Sequence, residues 1–241
     1  GLFTVLRQVV SQETGVEPAL MHVSARSDLA VLSGMTTASR ATALATMAGK
    51  RAAEKLAADL ATADLESLTG REYHGEYVCD FTVPPGTAMD NPITHMTFGY
   101  ATQVVILDER GRIAKVVAAH DVGRAINPLG CAQQIEGAVH MGLGYALSEE
   151  LPCTEGRPDS TLLRDLGILK AADMPEVEVI LVEVPDPVGG YGAKGVGEIG
   201  LVPTAAAVAG ALAAFDGVHR TALPMRDAPA APARRLATGS R

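Results

Sequence analysis

Apolar residues recur at helical spacing in several parts of the chain. Between Leu2 and Thr14 they fall close to one face of a helix, and Gly15 follows as a typical helix C-terminus. Further helices are predicted over residues 41–67, 131–150 and 203–215. The last of these is strongly apolar, so we expect it to be buried.

Runs of β-branched residues predict the strands. Residues 100–107 and 113–120 flank a turn-forming segment, which is the clearest hairpin signal in the chain. Further strands are predicted over residues 19–25, 71–82 and 177–184. Because helices and strands do not alternate regularly, the predicted fold class is α+β, with mixed sheets and packed helices, and not a doubly wound sheet.

A glycine-rich loop, residues 189–203, lies between the last strand and the last helix. Glycines let a backbone approach another group closely and adopt positive φ. Glu198 is the carboxylate among these small residues, just before the expected N-terminus of the helix. It is therefore a candidate general base, with a structural helix cap as the alternative.

Within this loop, residues 195–200 match the pattern G-x-G-x-x-G. A dinucleotide fingerprint needs its first glycine immediately after a strand, whereas a proline-containing segment intervenes here. The position of the first glycine therefore argues against a Rossmann fold. A non-catalytic nucleotide-binding module, in which residues 195–200 bind phosphate and Glu198 caps the helix, stays open as a second hypothesis.

A run of small, hydroxylated residues, 33–40, precedes the predicted helix over residues 41–67. Such donors before a helix are typical of N-capping. The other interpretation is a loop that binds a phosphate or a pterin.

Composition and charge narrow the functional classes. The 241 residues, 47% of them hydrophobic, are enough for a substantial core. The formal net charge of −8 argues against nonspecific nucleic-acid binding, which needs a basic surface. No apolar run approaches the length of a membrane span, and no secretory signal is visible. We expect a cytoplasmic protein without a nucleic-acid or membrane partner.

The cysteines and histidines do not predict a metal site. Cys79, Cys131 and Cys153 form no C-x-x-C pair, so we expect neither zinc nor an iron–sulfur cluster in this chain and assign no metal ligand. His120 precedes Asp121, and a carboxylate can orient an imidazole. A structural pair at a turn is the favoured interpretation, since no nucleophile lies nearby in the sequence.

Several stretches, taken together, resemble the molybdenum hydroxylases of the xanthine dehydrogenase and aldehyde oxidase type. They are residues 33–42, 121–150 and 192–204, in the order and spacing of that family. The resemblance implies that residues 1–225 are the C-terminal, molybdopterin-binding region of a larger subunit, followed by a Pro/Ala/Arg-rich tail at 226–241. Because the chain begins at Gly1 without a methionine, we expect a truncated or processed piece. The resemblance implies that this piece is inactive on its own, since it lacks much of the family's cofactor and substrate contacts.

The resemblance also implies roles for individual residues. Glu198 matches the catalytic glutamate, which takes a proton from the water-derived nucleophile as an sp² carbon is hydroxylated. Gln134 matches a glutamine that hydrogen-bonds the cofactor. The other expected cofactor-binding residues are Thr37, Ala38, Ser39, Lys194 and Gly197.

The implied cofactor is a molybdenum–pterin group, either molybdopterin or its cytosine dinucleotide form. Iron–sulfur clusters and FAD are expected on partner chains or domains, and the rest of the molybdenum subunit is a further expected partner. Residues 33–42 and 191–200 look most similar to bacterial xanthine dehydrogenases, including the selenium-dependent type. A purine such as xanthine is therefore the expected substrate, with an aldehyde or another N-heterocycle as the alternative.

Overall fold

The computed structural model describes residues 1–26 and 35–232, which form two compact units. Unit 1 consists of Gly1–Gly99, Asp121–Cys131 and Leu181–Val196. Unit 2 consists of Tyr100–His120, Ala132–Ile180 and the chain from Gly197 onward.

The described residues contain both helices and strands, which confirms the α+β class. The helices are α1 (Leu2–Thr14), α2 (Ala41–Leu60), α3 (Pro128–Leu147) and α4 (Thr204–Asp216). The strands are β1 (Ala101–Leu107), β2 (Ile113–Asp121), β3 (Cys153–Thr154), β4 (Arg157–Pro158) and β5 (Glu176–Val182). In the part of the chain that is described, no helix is both long and apolar enough to cross a membrane.

Helices α1 and α2 pack together in unit 1. A Cβ atom at Gly49 would lie 3.1 Å from the Leu6 side chain, and Lys50 forms an ion pair of 3.2 Å with Glu13. Helix α1 ends as predicted at Gly15, whose φ is 73° and whose amide donates to the Ser11 carbonyl. The glycine is needed there because its backbone is left-handed.

The predicted hairpin is confirmed and forms two strands of a sheet with the order β1-β2-β5. Strands β1 and β2 are antiparallel, with Ala101 opposite His120. The carboxylate of Asp108 closes the turn by accepting hydrogen bonds of 2.9 Å from the amides of Arg110 and Arg112. The core of unit 2 is built from buried apolar side chains of the hairpin, α3 and α4: Val105, Val116, Ile135, Val139, Leu143, Val208 and Leu212.

Helix α4 is buried on one side only. Val208 and Leu212 are fully buried, whereas Phe215 at the end of the helix is 45% exposed. The spacing of four residues between Val208 and Leu212 places them on the same face, and small alanines occupy much of the rest. The predicted apolar helix is therefore confirmed, but its expected burial holds for this face alone.

Two predicted strands are absent, and one helix is shorter than predicted. Residues 19–25 form no strand, because a single 3₁₀ turn, Pro18–Leu20, leads into irregular backbone. Residues 71–82 are also irregular. Their carbonyl groups at His74 and Glu76 accept hydrogen bonds of 2.7 Å from Lys55 and Arg51 of α2, and no partner strand pairs with them in the described residues. Helix α2 ends at Leu60, and short turns follow instead of the predicted extension to residue 67.

The predicted tail is described only as far as residue 232. Arg226 contacts the carboxylate of Glu150, and Ala228 is buried. A Cβ atom at Gly111 would lie 2.8 Å from the side chain of Pro229. The first residues of this segment are therefore packed within unit 2, unlike the loose tail that composition predicts.

Candidate functional site

The first part of the glycine-rich loop is fixed against α1 and α2 in unit 1. The amide of Gly190 donates to the hydroxyl of Thr46 at 3.1 Å. Tyr191, a non-glycine residue with a φ of 56°, donates from its hydroxyl to Glu13 at 2.5 Å. Burial and the Glu13 carboxylate raise the pKa of Tyr191, so the phenol stays protonated as the donor. A residue held in this backbone region marks a locally constrained segment.

Lys194 is buried in unit 1 and ion-paired with Asp121 at the end of β2. The distance from Nζ to Oδ2 is 2.6 Å, and the two side chains are 8% and 4% exposed. Burial alone would raise the pKa of Asp121, but the Lys194 ammonium and the amide of Gly123 outweigh it and hold that pKa below its usual value. The amide of Lys194 also donates to the Val122 carbonyl at 3.0 Å. Lys194 therefore ties the loop to β2.

Gly195 brings the glycine-rich loop into contact with the loop that precedes α2. A Cβ atom at Gly195 would overlap the carbonyl oxygen of Ser39, so only glycine fits there. Ala38 and Ser39 both have a φ of 52°, a region that non-glycine residues seldom adopt. Unit 1 thus brings together parts of two stretches that the sequence singled out, the loop around Ser39 and the glycine-rich loop as far as Val196. Residues 33 and 34 of the earlier stretch lie outside the described residues.

None of the hydroxylated residues before α2 occupies its N-cap position. The N-cap residue of α2 is Arg40, and its side chain makes no capping hydrogen bond. Thr37 and Ala38 are exposed, and Ser39 is partly buried. The exposed part of this loop can therefore meet another molecule.

Glu198 and Gln134 are both exposed in unit 2, and the loop that carries one packs on the helix that carries the other. A Cβ atom at Gly200 would lie 2.6 Å from Ala138 and 3.4 Å from Ile135, both on α3. Gln134 directly precedes Ile135, and Glu198 lies two residues before Gly200. The same part of unit 2 therefore presents a carboxylate and an amide.

Glu198 does not occupy the N-cap position of α4. The helix begins at Thr204 with Pro203 as its N-cap, and the amide of Leu201 donates to the Glu198 carbonyl at 3.2 Å in the preceding turn. Gly197, beside Glu198, is exposed. Glu198 is therefore not placed to act as the N-cap of α4.

The pattern over residues 195–200 is not a dinucleotide fingerprint. Strand β5 ends at Val182, and a loop containing the turn Gly190–Gly192 intervenes before Gly195. A fingerprint places its first glycine directly after the strand, so that the helix begins at the phosphates. The structure agrees with the sequence on this point.

His120 and Asp121 do not interact as a catalytic pair. Successive residues of a strand face opposite sides, so Asp121 reaches Lys194 while His120 faces the core of unit 2. The favoured interpretation, a structural role at a turn, holds for Asp121, whose carboxylate accepts a hydrogen bond from the Gly123 amide in the turn. The imidazole has a different partner, the side chain of Gln103.

Gln103 was missed by the sequence analysis. Its side-chain Nε2 donates to the carbonyl oxygen of Gly200 at 2.7 Å and lies 3.3 Å from Nε2 of His120. The side chain is buried on β1, on the same side as Val105. A polar residue at an inward position of an apolar strand was the signal that could have found it.

The cysteines make no disulfide in the structure. Cys79, Cys131 and Cys153 are free thiols, and burial together with the nearby Glu183 raises the pKa of Cys131. Within residues 1–26 and 35–232, no group of three or more His, Cys, Asp and Glu side chains could hold a metal ion.

Comparison with known proteins identifies relatives of this chain. A family model described as a molybdopterin cofactor-binding domain matches residues 1–72 and 58–175. The chain is 30% identical, over 93% of its length, to the 6-hydroxypseudooxynicotine dehydrogenase complex subunit gamma of Paenarthrobacter nicotinovorans, of which it covers 33%. It is 34% identical, over 47% of its length, to the putative xanthine dehydrogenase molybdenum-binding subunit XdhA of Escherichia coli (strain K12), of which it covers 15%.

The fold is similar to that of a solved enzyme. The aldehyde oxidoreductase from Desulfovibrio gigas matches with a TM-score of 0.70 and 21% sequence identity, over 92% of this chain and 26% of that one. The chain thus spans at most 33% of the length of each of these three proteins.

Proposed function

Because the chain belongs to the family of molybdopterin cofactor-binding domains of the xanthine dehydrogenase and aldehyde oxidoreductase type, we propose that it supplies the base and part of the cofactor contacts of a molybdenum hydroxylase. In the proposed reaction an sp² carbon loses a hydrogen and gains a hydroxyl group derived from water. Two electrons and two protons are released. We propose that the electrons pass to iron–sulfur clusters and FAD on partner chains or domains.

The residues present fit a pterin cofactor. Glycines allow close backbone contacts on both sides of Glu198, at Gly195 in unit 1 and at Gly200 in unit 2. The exposed hydroxyl of Thr37 and the exposed amide of Gln134 offer hydrogen bonds of the kind that a pterin and its phosphate accept. Each unit therefore has polar groups available for a bound cofactor of this chemistry.

We assign cofactor contacts to residues of each unit. In unit 1 these are Thr37, Ala38 and Ser39, and in unit 2 they are Gln134 and Gly197. Lys194 has a different proposed role, since its ammonium is bound to Asp121. It contributes by fixing the backbone of the loop.

Glu198 is the proposed general base. The observation that carries this assignment is the packing of Gly200 on α3, which brings the turn of Glu198 against the part of α3 that bears Gln134. The carboxylate accepts the proton of the attacking water-derived group, and a positioned base of this kind contributes about 10²–10⁴-fold to a rate. When bound, the molybdenum–pterin cofactor supplies the two-electron redox chemistry.

A purine such as xanthine is the proposed substrate. Support comes from the resemblance of residues 33–42 and 191–200 to bacterial xanthine dehydrogenases and from the 34% identity to XdhA of E. coli. The relative that matches 93% of the chain is named for 6-hydroxypseudooxynicotine instead, so an aldehyde or another N-heterocycle is the alternative. Turnover of purines, N-heterocycles and aldehydes by the purified complex distinguishes these classes.

Glu198→Gln in the intact complex tests the proposed role. The amide keeps the size of the side chain but cannot accept the proton, so we expect kcat to fall by about 10²–10⁴-fold. Molybdenum and pterin content should stay at the wild-type level. The control is Glu109→Gln, which removes an exposed carboxylate from the hairpin turn of the same unit. Activity of Glu198→Gln close to wild type, with full cofactor, would contradict the assignment and favour a non-catalytic nucleotide-binding role for residues 195–200.

A further inference from the structure

We propose that Gln103 is a positioning residue for Glu198. The proposal rests on the proposed function of Glu198 as the base and concerns how its turn is held. Gln103 lies on β1, and its side chain crosses the core of unit 2 to reach the glycine-rich loop two residues beyond Glu198.

The contact between Gln103 and the loop is short and buried. Nε2 of Gln103 lies 2.7 Å from the carbonyl oxygen of Gly200, and only 9% of Gln103 is exposed. The hydroxyl of Thr204 donates to the same oxygen at 3.3 Å. A carbonyl with two buried donors has a fixed direction, and this direction sets the peptide plane between Gly200 and Leu201.

That peptide plane controls the turn of Glu198. Its amide belongs to Leu201 and donates to the Glu198 carbonyl at 3.2 Å. On the other side, Gly200 packs directly on Ala138 and Ile135 of α3. Gln103 therefore fixes one end of the turn while α3 supports it, and the backbone of Glu198 is held relative to α3.

The chemistry of the surrounding groups fixes the orientation of the Gln103 amide. Its oxygen cannot face the Gly200 carbonyl at 2.7 Å, because two acceptors would repel, so the NH₂ group lies there. The second hydrogen of that NH₂ group points to Nε2 of His120 at 3.3 Å. His120 then accepts at Nε2 and carries its proton on Nδ1, and complete burial of this histidine lowers its pKa and keeps it neutral.

The buried pair of Gln103 and His120 lowers the stability of the fold. Oε1 of Gln103 and Nδ1 of His120 are buried and have no hydrogen-bond partner among the residues that the structure describes. Buried polar atoms without partners destabilise a fold, and an apolar pair would avoid them. We therefore attribute the role of this pair to the NH₂ group, which orients the carbonyl of Gly200.

The test uses the intact complex with Gln103→Leu, which keeps the size of the side chain but removes both donors. The control is Val105→Ala, which also disturbs a buried position of β1 but does not contact the loop through a hydrogen bond. Hydrogen–deuterium exchange of the peptide covering residues 197–203 reports the turn directly, and this readout does not depend on activity. Molybdenum content, kcat and KM are measured on the same preparations.

We expect faster exchange at residues 197–203 in Gln103→Leu and wild-type exchange there in Val105→Ala. A displaced catalytic group of this kind costs about 10²-fold in rate, so kcat should fall by that order while KM and molybdenum content stay near wild type. Wild-type exchange in Gln103→Leu overturns the proposal. Faster exchange without loss of kcat also overturns it, and the Glu198→Gln variant then shows whether the proposed function survives.

Gln103→Glu gives a second, independent test if the leucine variant does not assemble. The protonated carboxyl group can donate to the Gly200 carbonyl, whereas the carboxylate cannot. The kcat of this variant, relative to wild type at the same pH, should therefore rise as the pH is lowered. A ratio that does not change with pH contradicts a positioning role for the donor.

Discussion

Lys194 and Asp121 form a buried ion pair that connects the glycine-rich loop to the end of β2. The atoms Nζ and Oδ2 are 2.6 Å apart. The carboxylate of Asp121 also accepts a hydrogen bond of 2.9 Å from the amide of Gly123, which further stabilises its negative charge. The pair thus anchors the loop four residues before Glu198.

Lys194→Met should destabilise the protein strongly. The change leaves Asp121 buried without its counter-ion, and breaking a buried pair in this way costs about 3–5 kcal/mol in the free energy of unfolding. The control is Lys115→Met, since Lys115 pairs with the exposed carboxylates of Glu176 and Glu178. An exposed pair contributes about 0–1 kcal/mol. Denaturant unfolding measures the free energy of unfolding of both variants. Equal losses would show that the buried Lys194 pair contributes no more to stability than the exposed Lys115 pair.

The same pair should make stability depend on pH below neutrality. The pKa of Asp121 is lower in the folded protein than its unfolded value of about 3.9. Its contribution is therefore fully present above about pH 4 and is lost as the pH falls through the folded pKa.

The difference in unfolding free energy between wild type and Asp121→Asn measures this contribution. We expect it to be constant at higher pH and to shrink in more acidic buffer. Asp80→Asn, a change at an exposed position of unit 1, should show no such dependence. A difference that grows toward acid would reverse the predicted sign.

Gly195→Ala should disturb the contact between the two loops of unit 1. The added methyl group would overlap the backbone of Ser39, and the backbone must shift, at a cost of about 1–3 kcal/mol. The loop of Thr37–Ser39 is proposed to contact the cofactor, so the pterin content of the Gly195→Ala variant should also fall. Gly210→Ala is the control, since a Cβ there meets nothing within 4 Å and the change should stabilise α4 by about 0.5–1 kcal/mol. Unchanged stability and pterin content in Gly195→Ala would contradict this packing.

Gln134→Ala should weaken cofactor binding without unfolding the protein. The side chain is exposed on α3, so its loss removes a hydrogen bond to the cofactor but little packing. One hydrogen bond contributes about 0.5–1.5 kcal/mol, which corresponds to about a two- to tenfold weaker affinity. Pterin retained after extensive dialysis measures the effect. Gln133→Ala, at the neighbouring exposed position, should retain the wild-type amount, and equal losses in both variants would argue against a specific contact.

The elements that sequence predicted well are those whose signal is local. The period of α1 and α4 and the turn between β1 and β2 are local features, and they lie where the patterns placed them. Residues 71–82 have a strand-like composition, but their carbonyl groups bond to Lys55 and Arg51 of α2. No local pattern reveals such a partner.

The residues of the candidate site also differ in whether local sequence can predict them. The importance of Glu198 came from a local glycine-rich pattern and a family resemblance, both of which can be read along the chain. The role of Gln103 could not be read in this way, because its partner Gly200 is 97 residues away in the sequence. The divergence of His120 and Asp121 also follows only once the strand and its neighbours are known.

The molybdenum and pterin content of the native complex, purified from its source, tests the central claim most directly. The preparation should first be shown to contain the intact chain. We predict near-stoichiometric molybdenum and a releasable pterin for each copy of the chain. Absence of both from an intact preparation would contradict the proposed molybdenum hydroxylase function.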